Sequence, residues 1–159
     1  MTTNTSSICD TQTVIFDNKN YTISEHLLKQ FGFLSGMLDS GLFDILELPL
    51  PQQLIIAKIG HCLLRFLMNN PDKGLNYLQH EVLEGLNNNE FIKTLLTANQ
   101  NNTINIAKLR DTLTQVFGLI ALADYWDCQV ITKDCTEFLS LCLSVANTQS
   151  IKEWVSGII

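Results

Sequence analysis

Cysteine and histidine are the side chains through which this 159-residue chain could run chemistry, and their spacing argues against most of it. Cys128, Cys135 and Cys142 recur every seven positions, and the last two can share one helical face. A structural zinc site draws four ligands together, usually through close Cys or His pairs. The chain has no Cys-x-x-Cys and no His-x-x-x-His, so the expectation is small buried thiols. His26, His61 and His80 lie in separate segments, and a nucleophile–base pair is made in space rather than in sequence. No Gly-x-Ser-x-Gly elbow and no Gly-x-x-x-x-Gly-Lys phosphate loop accompanies them. The expectation is therefore no catalytic centre, no metal and no cofactor. His61-Cys62 reads as one solvated residue beside one buried residue on an amphipathic helix.

The composition sets further bounds. Hydrophobic residues make up 46%, but charged residues only 16%, against about 25% in typical soluble domains. A chain so short of charge keeps apolar surface for a partner, or hides a large core beneath Asn, Gln, Ser and Thr. The net charge of −6 disfavours nucleic acid and anionic membranes, whose phosphates need clustered Lys and Arg. The longest apolar candidate, Leu54 to Met68, is interrupted by Lys58, His61 and Arg65 and is too short to span a bilayer. Met1-Thr-Thr-Asn-Thr-Ser-Ser lacks the basic and apolar regions of a secretory leader. Five cysteines in mostly apolar settings read as free thiols of a reducing compartment, cytoplasm or nucleus.

These residues are carried by a recognisable order of elements. Residues 1–12 read as a flexible polar tail, and 13–159 as a single domain. Thr13–Asp17 and Tyr21–Ile23 are β-prone runs around Asn18-Lys19-Asn20, which predicts a hairpin. Ser24 offers an N-cap to a short helix with Glu25 in its first turn. A second short helix covers Phe33–Leu38. Ile45–Leu48 is a strand stopped by Pro49 and Pro51, of which the second suits the first turn of the next helix. That helix, about Gln52 to Met68, carries Lys58, His61 and Arg65 on its polar stripe. Leu54, Ile55, Ile59, Cys62, Leu63, Phe66 and Leu67 face inward. Residues 70–107 form an Asn-rich insertion. In it Leu75, Leu78, Val82 and Leu86 share a helical face that breaks near Gly85 and Asn87–Asn89. Phe91, Leu95 and Leu96 mark another short helix, and Ile104 and Ile106 an extended piece.

The most informative stretch is Val116–Asp127. With Leu109 and Leu113 it sets apolar residues at 109, 113, 116, 117, 120 and 123, the spacing of one helical face. Leu119 and Leu122 make the opposite face apolar too, which predicts a helix wrapped almost all round, capped near Asp111. It ends in Asp124-Tyr125-Trp126-Asp127, where amphipathic rings suit a partner-facing edge. Asp124 and Asp127 near a helix end oppose the dipole, a mild hint of a partner's basic group. Helices over about Thr132–Leu143 and Ser150–Ile158 follow.

Leu119-Ile-Ala-Leu-Ala-Asp-Tyr-Trp-Asp-Cys128 resembles the "Leu-Ile-x-x-Ala-Asn-Tyr/Phe-Leu-Asp-Ile/Cys" segment of the SKP/elongin C branch of the BTB/POZ superfamily, whose members are cullin adaptors in ubiquitin ligases. Val14–Ile23 is similar to that family's opening hairpin. Phe33-Leu-Ser-Gly-Met-Leu38 stands where it carries "Thr-Ile-Lys-x-Met-Leu", and Leu48-Pro-Leu-Pro51 looks like its "Pro-Leu-Pro" junction. The likeness covers roughly residues 13–69 and 109–158. It departs in the 70–107 insertion, in Asp124 for Asn, in Trp126 for Leu, and in lacking a further C-terminal helix that grips F-box motifs.

The resemblance implies an α+β BTB/POZ-like fold, a small mixed sheet of about three strands on a mainly helical body. It implies a non-enzymatic adaptor between a cullin N-terminal region and an F-box- or SOCS-box-like receptor. By resemblance, Asp124 and Tyr125 face the cullin while Trp126 packs inward. Leu139, Leu143, Val145, Ile151, Trp154 and Val155 would form the receptor groove. Two other readings stay open: a self-associating BTB/POZ homodimer, and a pathogen or viral mimic that occupies host cullin.

Overall fold

The structure, a computed structural model, describes residues 10–41, 45–98 and 103–145. Strands β1 (Thr11–Phe16) and β2 (Lys19–Ser24) form an antiparallel hairpin in which Phe16 pairs with Lys19. That register leaves a two-residue turn, Asp17-Asn18, and both residues have positive φ, 51° and 62°. This is the primed turn whose twist matches a hairpin's strands, and Asp and Asn tolerate its left-handed backbone better than most residues. The turn thus sits one residue earlier than the Asn18–Asn20 expectation, because Lys19 and Asn20 are already paired. β1 likewise begins at Thr11, inside the span expected as tail. Alternation along the hairpin points Val14, Phe16, Tyr21 and Ile23 into the core.

Helix α1 (Glu25–Leu28) is a single turn, and α2 (Gly32–Ser40) ends on Gly41 at φ 67°. Ser24 precedes α1 but makes no side-chain cap; the Glu25 N–H goes to the Asp10 carbonyl at 2.9 Å instead. β3 shrinks to Leu46–Glu47, pairing parallel with β1, so the mixed sheet runs β2-β1-β3 with β3 at an edge. An edge position is what the following Pro49 requires, since proline has no N–H for the ladder.

Helix α3 (Leu54–Asn69) starts after Gln53, so Pro51 lies outside its first turn. It buries Ala57, Ile59, Gly60, Leu63, Leu64, Phe66 and Leu67. Leu54, Ile55 and Cys62, expected inside, are exposed. A Cβ on Gly60 would lie 2.9 Å from the Phe16 ring and 3.2 Å from Trp126, so only glycine lets α3 approach the sheet this closely.

The insertion contributes Leu75, Tyr77, Leu78, Val82, Leu83, Phe91 and Ile92 to the same core as the hairpin. A π-helical turn, Leu78–Val82, ends in Glu84 and Gly85, both left-handed. Asn87, expected as a break, starts helix α4 (Asn88–Ala98): its Oδ1 accepts the Glu90 N–H at 2.8 Å. Helix α5 runs Thr103–Tyr125. Ile104 and Ile106 are therefore helical rather than extended, and Asp111 is an exposed mid-helix residue rather than a cap. Helix α6 covers Gln129–Val145. The expected helix over 150–158 lies outside the described residues. The fold is α+β, mainly helical, with one small three-stranded mixed sheet. No helix among the described residues is long and apolar enough to cross a membrane.

Candidate docking surface

Leu109, Leu113, Val116, Leu119, Leu122 and Ala123 of α5 are buried, as the spacing demands. The helix is not wrapped all round, however. Phe117, Ala121 and Tyr125, spaced four apart and so on one face, are all exposed, Phe117 at 46% and Tyr125 at 50%. The difference arises where α5 crosses α3. Ile59 seats against Gly118 there, which turns the neighbouring Phe117 outward.

Trp126, immediately after α5, is fully buried. Its ring stands edge-on to Phe16 at 5.2 Å and to Phe31 at 6.1 Å. Its indole N–H donates to the Pro49 carbonyl at 3.1 Å, which removes the cost of burying a donor. Its own carbonyl accepts the Phe33 N–H at 3.4 Å. Three exposed apolar side chains consequently radiate from one buried ring: Leu50 beyond Pro49, Phe33 at the start of α2, and Tyr125 next in sequence. Leu54 and Ile55, at the start of α3, are exposed as well. Sequence reasoning placed Tyr125 here but missed Phe33, Leu50, Leu54 and Ile55. Their outward direction depends on what Trp126 and Ile59 occupy inside.

Asp124 and Asp127, next to this collar, differ from one another. Asp127 is left-handed, φ 56°, and its carbonyl accepts the Gly32 N–H at 2.8 Å. Its carboxylate lies over Gly32, where a Cβ would collide with it. It therefore sits at the N-terminus of α2 and just before that of α6, where helix dipoles favour an anion. The expected opposition to the dipole does not hold for this residue. Asp124, in the last turn of α5, does oppose it. An open cleft beside both is lined by Gln129, Thr132 and Lys133.

Of the second group of expected site residues, only Leu139 and Leu143 have described side chains. Leu139 is half-buried against the core and Leu143 is 58% exposed. The side chain of Val145, and Ile151, Trp154 and Val155, lie outside the described residues.

Three of the cysteines and one histidine are occupied in packing. Cys128, Cys135 and Cys142 are free and buried. Burial raises all three thiols, Cys135 and Cys142 to about 12, leaving them protonated and unreactive. His61 and Cys62 exchange their expected places. The His61 ring lies 4.7 Å from Phe16, its Nδ1 is 2.6 Å from the Tyr21 hydroxyl, and its Nε2 is 3.0 Å from Asp17 Oδ2. A neutral imidazole satisfies both contacts, with Tyr21 donating to Nδ1 and Nε2–H donating to Asp17. This line ties α3 to the hairpin, and Tyr21, buried at 5% exposure, presents no nucleophile to solvent. Cys62 is the outward residue. Among the described residues no group of three His, Cys, Asp or Glu is arranged to hold a metal ion.

No protein-family model matches the chain, and neither a curated protein nor a solved structure matches it.

Proposed function

We propose that the chain is a non-enzymatic BTB/POZ-like adaptor of the SKP/elongin C kind, bridging a cullin N-terminal region to an F-box- or SOCS-box-like receptor in cytoplasm or nucleus. The observation that carries this reading is the exposure of Tyr125 beside the fully buried Trp126. A large amphipathic ring held at the end of a rigid helix loses little entropy on docking, which is the profile of an interface anchor. Phe33 and Leu50, attached to the same buried ring through the Phe33 N–H and the Pro49 carbonyl, add exposed apolar area. The order hairpin, two short helices, edge strand, long helix and then a core helix ending at the tyrosine supports the same reading. The receptor's helices would meet the far end of α6, where Leu143 is exposed. The mechanism is geometric: a receptor held at fixed distance from the ubiquitin-charging machinery raises the effective concentration of target lysines.

A pull-down from eukaryotic lysate with the wild type and Tyr125→Ala tests it. The expected result is cullin retained by the wild type, with a loss of about tenfold or more in the variant. Cullin held equally by both would discard the site, and none held by either would discard the function.

A further inference from the structure

We infer that the partner segment covering Tyr125 is an amphipathic helix with a Lys or Arg beside its apolar stripe, and that this cation pairs with Asp124; the inference rests on reading the Trp126 collar as a docking face. The collar is apolar at its centre, through Phe33, Leu50 and Tyr125, and carries two exposed carboxylates at its border. Among the described residues neither carboxylate forms an ion pair. Asp127 has local compensation, because it lies at the start of two helices. Asp124 has none among the described residues: it stands in the last turn of α5, a turn with no basic residue, where carbonyl dipoles already concentrate negative potential. Lys133 lines the same cleft but does not reach it within ion-pair distance. An incoming cation would relieve both the dipole and the neighbouring Asp127. An incoming carboxylate would meet three sources of repulsion, since the whole chain also carries −6. A helix is the fitting shape, because Phe117, Ala121 and Tyr125 form a straight exposed row one helix face wide.

Two synthetic amphipathic helical peptides with the same Leu/Ile stripe, one flanked by Lys and one by Glu, provide the probe. Their binding is measured at low and high salt to the wild type, Asp124→Asn, Tyr125→Ala and the distant exposed control Glu81→Gln. The expected result is preference for the Lys-flanked peptide. Asp124→Asn should weaken it about three- to fivefold at low salt and flatten the salt dependence. Glu81→Gln should leave it unchanged, and Tyr125→Ala should weaken both peptides. Equal binding of the two peptides, or equal loss in Asp124→Asn and Glu81→Gln, would overturn the inference. A purified cullin N-terminal fragment, titrated in parallel, reports separately on the function: failure to bind it sinks the adaptor reading while the peptide result stands.

Discussion

Tyr21 and Tyr125 each project from the end of a buried apolar row, yet Tyr21 is 5% exposed and Tyr125 is 50% exposed. Tyr21 meets His61, forty residues away in the chain, and that ring in turn meets Asp17. Every polar tip in that line has a partner from within the molecule. Around Trp126 the buried ring has its internal partners, Pro49, Phe16 and Phe31, whereas the adjoining Tyr125, Phe33 and Leu50 turn outward. One aromatic cluster therefore closes the fold, and the other leaves apolar area open beside a rigid support. The distinction between closing and docking lies in whether the neighbour is already supplied by the chain.

Removing the shared support should have the largest effect. Trp126→Ala empties the most voluminous fully buried site among the described residues and orphans the Pro49 carbonyl, at a cost of about 3–5 kcal/mol in urea unfolding. A loss below about 1 kcal/mol would mean that the ring does not hold the core together. Tyr21→Phe should come next, costing about 1–2 kcal/mol because His61 Nδ1 loses its donor in a half-buried site. Tyr125→Phe should stay within about 0.5 kcal/mol. Equal losses in the two phenylalanine variants would erase the contrast between the tyrosines.

The smallest effect at neutral pH is one that grows in alkali. Burial raises the Tyr21 and Tyr77 hydroxyls above the ordinary 10.0, and Cys135 and Cys142 above 9.0 to about 12. In the unfolded chain these groups ionise first, so the unfolded state then binds fewer protons than the folded one. Their contribution to stability is complete below about pH 9 and drains away as pH rises through the raised folded values. Unfolding free energies at pH 8, 10 and 11 should fall in that order, and Cys135→Ala should make the decline shallower. A slope unchanged in that variant would show that its thiol is not held protonated by the fold.

Much of the architecture was legible because periodicity reports burial directly. Val14, Phe16, Tyr21 and Ile23 alternate, and Leu109, Leu113, Val116 and Ala123 recur at helical spacing; all are buried. The hairpin turn was misplaced by one residue because Asp17, Asn18 and Asn20 are all turn-compatible, and only the strand register selects between them. Asn87 to Asn89 looked like a break because asparagine favours both loops and caps, and position relative to the following helix decides which.

On α3, sequence gave the angular separation of polar and apolar residues but not what covers each side. The hairpin lies over the His61 side, so a residue expected in water became a clamp, and Cys62 was left outside.

The chain by itself determined the hairpin, the edge strand, the long helix after it and the apolar row through α5, since these follow from local propensity and from the cost of leaving apolar area in water. Which side of each helix is covered, and so where Tyr125, Phe33 and Leu50 emerge together, was decided only by tertiary contacts. Burial is a property of pairs of surfaces, and here the paired surfaces come from segments far apart in the chain, Pro49 and Trp126 by 77 residues and Phe16 and Trp126 by more.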